Sequence, residues 1–241
     1  MKNEKMKILI LAANPINTHK LRLDEEVREI YVALERAKLR EEFEIIPQLA
    51  VRSNDLLQAL VRHKPQIIHF SGHGAGTDGL VLENDLGEVQ LVNTQVLTDL
   101  FKLFKNKIQC VLLNACYSEA QAEAIHHHID YVIGMNQAIG DRAAIKFAET
   151  FYQGLGNELS IEDACELGRI AIQLAGIPEF LTPILKSRPK SPVESTISSQ
   201  QEQKQDNSSE RTPYSNLFNI SNSDIKNVSG SGIINYHESS S

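Results

Sequence analysis

Between residues 7 and 186 two patterns alternate, and the alternation restricts the fold more than any single motif. Short apolar runs at 7–13, 43–49, 66–70, 108–113 and 131–135 read as buried strands. Segments of helical period separate them, at 23–40, 54–63, 93–104 and 119–127. The first of these carries Val27, Ile30, Tyr31 and Leu34 on one face. Ser53 stands where it would cap the second. Two more helices, 142–155 and 161–175, close the domain, with Ser160 as the cap of the last. Segments 80–82 and 88–91, joined through Asn84-Asp85-Leu86-Gly87, read as a small hairpin. The predicted class is α/β: a mostly parallel sheet with helices on both faces. In such sheets the working crevice lies beyond the carboxyl ends of the strands.

Two of the strands run into segments that carry chemistry. Ile67-Ile68-His69-Phe70-Ser71-Gly72-His73-Gly74 ends in an imidazole flanked by glycines. Val111-Leu112-Leu113-Asn114-Ala115-Cys116-Tyr117-Ser118 ends in a thiol. Both side chains fall at the same rim of the sheet, an arrangement suited to nucleophilic catalysis by sulfur. The chain has three cysteines. Cys110 lies inside an apolar strand and Cys165 beside Ala164 and Leu167 on a helix, so both read as small core residues. Cys116 follows the end of its apolar run, in a turn before a helix, where N–H groups favour a thiolate. The competing reading makes it a third buried thiol. His69, between Ile68 and Phe70, reads as a hydrogen-bonded core residue, whereas Gly72 and Gly74 expose His73. His19 and His63 read as surface residues.

Other features exclude function classes. The net charge of −7 argues against a nucleic-acid surface. No apolar run approaches the roughly 18 residues of a membrane helix, and no basic-then-apolar leader is evident. An odd, sparse cysteine count fits a reducing compartment, so a cytoplasmic location is expected. No CxxC pair marks a zinc site. The run His126-His127-His128 reads as the polar end of a helix. Gly74-Ala75-Gly76-Thr77-Asp78-Gly79 matches G-x-G-x-x-G, but Leu80-Val81-Leu82-Glu83 reads as a strand where a dinucleotide site needs a helix N-terminus. No cofactor is expected. The glycines instead let backbone pass close to a substrate and supply free N–H groups.

The strand–Ser-Gly-His-Gly and strand–Asn-Ala-Cys segments, with their His and Cys 43 residues apart, resemble the CHAT branch of the caspase-like cysteine peptidases. Leu11-Ala12-Ala13-Asn14-Pro15, then Leu21-Arg22-Leu23-Asp24-Glu25-Glu26-Val27-Arg28-Glu29-Ile30, resembles the opening of bacterial members. Ile139-Gly140-Asp141-Arg142-Ala143-Ala144, with Phe147, Phe151 and Tyr152, adds to the likeness. It implies a caspase-like three-layer sandwich over residues 1–186. It also implies that Cys116 attacks the scissile carbonyl, that His73 acts as general base and acid, and that the Gly74 and Cys116 N–H groups form the oxyanion hole. Metacaspase-like members carry an acidic residue two positions before the cysteine, to hold a basic P1 side chain. Asn114 stands there, so that position does not support a basic preference. Asp141 either lines the substrate pocket or caps the helix that starts beside it.

Composition changes after residue 186. The last 55 residues include 15 serines, and 187–215 reads as a disordered Ser/Gln-rich linker. Residues 187–241 together hold only 5 of the 24 Lys and Arg and 6 of the 31 Asp and Glu, so the acidity belongs to the domain. Segment 216–241 differs again, with Leu217, Phe218, Ile220, Ile225, Val228, Ile233, Ile234 and Tyr236 set among Asn, Ser and Gly. Such β-prone, weakly charged stretches stack into cross-β assemblies. Asn227-Val228-Ser229-Gly230-Ser231-Gly232 resembles the amyloid signalling motifs that end some cell-death effectors. That resemblance implies self-assembly and an NLR-type receptor with a matching motif as partners. The overall expectation is a cysteine endopeptidase effector activated by clustering. The alternatives are an inactive interaction module on the same fold and a nucleotide hydrolase.

Overall fold

The computed structural model describes residues 4–188. Strands β1 (Met6–Ala12), β2 (Phe43–Leu49), β3 (Ile67–Ser71), β6 (Cys110–Asn114), β7 (Tyr131–Met135) and β8 (Pro183–Ser187) form a six-stranded sheet in the order β2-β1-β3-β6-β7-β8. The first five pair in parallel, and β8 pairs antiparallel with β7 at the edge. Strands β4 (Gly79–Glu83) and β5 (Val89–Asn93) form the separate hairpin.

The central strands have an apolar residue at nearly every position because both faces are covered. Leu9, Leu11, Ile68, Phe70, Val111 and Leu113 face one core, which they share with α2 (Ser53–His63), α3 (Thr94–Phe104) and α4 (Glu119–His126). Ile8, Ile10, Ile67, Cys110 and Leu112 face the other, with α1 (Leu23–Glu35), α5 (Asp141–Gly156) and α6 (Ile161–Leu174). Adjacent residues of one strand thus serve opposite layers. Among the described residues, no helix is long and apolar enough to cross a membrane.

Several expectations need correction. The domain closes on β8, not on a helix. The first helix stops at Glu35 rather than 40, because the chain turns and Leu39 N–H bonds the Gly156 carbonyl at the end of α5. Ser53 is the first residue of α2 and not its cap. Extended Arg52 holds that position, and its N–H is taken by the Asp55 carboxylate at 3.1 Å. Asp141 likewise begins α5 without capping it: Gly140 is the cap residue, and Glu179 Oε1 accepts its N–H at 2.8 Å. Ser160 does cap α6, accepting from Asp163 N–H at 3.0 Å. Ser187, the first residue of the expected linker, instead ends β8; residues 189–215 and the 216–241 segment lie outside the described residues.

Candidate active site

The parallel register sets Ser71 beside Asn114 at the ends of β3 and β6. The loops carrying His73 and Cys116 therefore leave the sheet side by side. Gly72 N–H bonds the Asn114 carbonyl at 3.4 Å. Gly74 lies against the backbone of Cys116 so closely that a Cβ there would stand 2.0 Å from the Cys116 carbonyl oxygen. This contact demands glycine, and it brings the two predicted loops together. The His73 loop is held from its other side by Val81 N–H to His73 O at 3.0 Å and Ala75 N–H to Gly79 O at 2.9 Å. No helix follows Gly79: a short 3-10 turn, Gly76–Asp78, leads directly into β4.

His73 is half-buried. Its Nε2 lies 2.8 Å from the His19 carbonyl oxygen, which can only accept. Nε2 therefore carries the proton, and Nδ1 is the nitrogen left to exchange one. His19 is exposed, as its sequence context predicts, but its backbone orients the His73 ring. Cys116 is the one cysteine that is not fully buried. Burial pushes the Cys165 thiol up to about 12 and raises that of Cys110 further, so both stay protonated. The Cys116 sulfur touches Ile139 through both backbone groups: Ile139 N–H donates to Sγ at 3.4 Å, and Sγ–H points to Ile139 O at 3.7 Å. Tyr117, the next residue, sits in the left-handed region at φ 55°, with its N–H on Gln137 O. A non-glycine residue in that region costs of order 1–3 kcal/mol, which the surrounding contacts must offset. Among the described residues, neither the Gly74 nor the Cys116 N–H has an acceptor. Two free donors beside a thiol can bind an oxyanion. Asp141 is half-buried two residues beyond Ile139, with Glu179 at the neighbouring Gly140 N–H.

Beneath the two loops lies a polar cluster that the sequence reading did not assemble. Glu26 of α1 is 3 % exposed and Asn114 4 %. Glu26 Oε1 accepts from Asn114 Nδ2 at 2.6 Å and from His69 Nε2 at 2.7 Å, and Oε2 accepts from Ser71 Oγ at 2.5 Å. The Tyr152 hydroxyl, 3.2 Å from His69 Nδ1, completes the chain. Burial, then the neighbouring Cys110 and Glu26, holds the Tyr152 phenol well above its ordinary range, so it remains a donor. His69 is thus the hydrogen-bonded core residue its position predicts. A signal for Glu26 was present: it interrupts the buried stripe Leu23, Ile30, Ala33, Leu34 of α1. An unpaired carboxylate is too costly to bury there, so donors had to exist.

The family model described as "CHAT domain" matches residues 4–178. A "Roc-COR-CHAT protease" from an unknown prokaryotic organism is 28 % identical over 187 residues, covering 74 % of this chain and 18 % of that protein. The chain spans less than a third of the length of the curated relatives it matches. Among solved structures, the Arg-specific cysteine proteinase gingipain R superposes with TM-score 0.56 at 12 % identity, covering 78 % of this chain and 48 % of that one. The Drosophila initiator caspase Dronc superposes with TM-score 0.51 at 10 % identity, covering 76 % and 79 %. These two likenesses concern the fold. Together with the family match, they establish that the chain belongs to the CHAT domain family and has a caspase-like α/β fold.

Proposed function

We propose that the domain is a cysteine endopeptidase using Cys116 and His73. The observation that carries this reading is the fit of Gly74 against the Cys116 backbone, which joins the imidazole loop to the thiol loop. The protonated Nε2 on His19 O and the two free N–H groups support it further. His73 Nδ1 takes the thiol proton, and the thiolate attacks the scissile carbonyl carbon. The oxygen that becomes negative is held by the Gly74 and Cys116 N–H groups. As the tetrahedral species collapses, the C–N bond breaks and Nδ1 returns the proton to the leaving amine. Water, deprotonated by the same nitrogen, then releases the acyl group and restores the thiol. Asp141 lines the substrate side of the crevice in this reading, next to the Ile139 contact with sulfur.

The wider role proposed is that of a bacterial cell-death or defence effector in the cytoplasm, recruited and clustered through 216–241. What supports this is the order of parts in the sequence: an enzyme-like domain, a Ser/Gln-rich stretch and a β-prone end, to which an NLR-type receptor with a matching motif is the proposed partner. The direct test of the chemistry is a proteome-wide comparison of new N-termini with wild type and Cys116→Ala. Cleavage only with wild type is expected, a loss of about a thousandfold or more. Equal cleavage in both arms, or in neither under clustering conditions, would leave the interaction-module alternative standing.

A further inference from the structure

The buried carboxylate of Glu26 contacts residues placed symmetrically about the proposed site. Ser71 stands two positions before His73, and Asn114 two positions before Cys116. Each pair shares a strand or its direct extension. Glu26 binds Ser71 through one oxygen and Asn114 through the other. His69, two positions earlier on β3, adds a third bond. One carboxylate from α1 therefore joins the ends of β3 and β6 where the two loops begin.

The chemistry of the cluster makes this a specific tie. A carboxylate can accept from all three donors at once, and charge-assisted hydrogen bonds are about twice as strong as neutral ones. Asn114 Nδ2 also reaches the Ala144 carbonyl at 3.2 Å, linking the end of β6 to α5. Tyr152 fixes the His69 tautomer from the far side, so that Nε2–H faces Glu26. An apolar side chain would fill the same core position without desolvating a charge. The geometry points to Glu26 as a positioning residue: through Ser71 and Asn114 it sets the spacing between the His73 and Cys116 loops. It touches neither the reacting atoms nor the crevice. This inference rests on the dyad proposed above.

The experiment must separate positioning from general support of the core. Iodoacetamide alkylation of Cys116 at neutral pH, followed by mass spectrometry, needs no knowledge of the substrate, and Cys110 and Cys165 are buried. Glu26→Gln and Ser71→Ala are compared with wild type, each with and without His73→Ala. In wild type, His73→Ala should slow alkylation about tenfold. In Ser71→Ala and Glu26→Gln the rate should already be low, and adding His73→Ala should change it less than about twofold, a non-additivity expected of coupled groups. A purely structural role predicts a lower melting temperature with the full His73 effect intact, and that result overturns the inference. Ser71→Ala carries the test if Glu26→Gln does not fold. Failure of His73→Ala to slow the wild type would overturn the dyad itself, and the positioning role with it.

Discussion

At the scale of single residues, His73 and its neighbour Gly74 carry opposite duties. The His73 ring needs room, whereas Gly74 has none, since its α-carbon faces the Cys116 carbonyl. Gly74→Ala is therefore expected to abolish peptide cleavage while leaving the core assembled. The added methyl would stand 2.0 Å from backbone oxygen, so the two loops must separate. Far-UV circular dichroism should match wild type, and the loss should appear in turnover and in Cys116 alkylation together. Retained turnover would mean that the contact can relax without cost to the site. The placement of His73 and Cys116 just past the ends of β3 and β6, and the burial of His69, were legible because each depends on strand position. Glu26 was harder to read, since its meaning depends on three donors from β3 and β6 that no local pattern joins.

Elements were legible where the period of the pattern decides and obscure where a distant partner does. β2 and β7 begin and end where their apolar runs do. β8 begins at Pro183, which is tolerated as the first residue of an edge strand. Its pairing with β7 and the bonds from Lys186 to Glu119 and Glu123 of α4 are tertiary. The caps divide in the same way. Ser160 makes its cap bond within α6, so a local motif predicted it. The α5 start relies instead on Glu179 from a later segment. Ser160→Ala should then cost about 1 kcal/mol and Ser53→Ala only a few tenths, because Ser53 caps nothing. Urea unfolding distinguishes them, and equal losses would contradict the assignment of both helix starts.

Over the whole molecule, the separation between a folded domain and a β-prone end makes the clustering proposal testable by dissection. β8 ends at Ser187, so a chain cut after Pro189 keeps every described strand. If 216–241 supplies only clustering, residues 1–189 should alkylate at Cys116 as fast as the full chain, because the loops of the proposed dyad leave the sheet from β3 and β6. The full chain should form thioflavin-binding, self-seeding fibres, and its cleavage per molecule should rise with concentration, as raised local concentration requires. Val228→Pro in the full chain removes a backbone donor from the β-prone stretch and should abolish both effects without touching the domain. Fibres that persist in Val228→Pro would move the assembling segment elsewhere in the tail. A full chain that forms no fibres, and cleaves equally at all concentrations, would show that the domain acts alone.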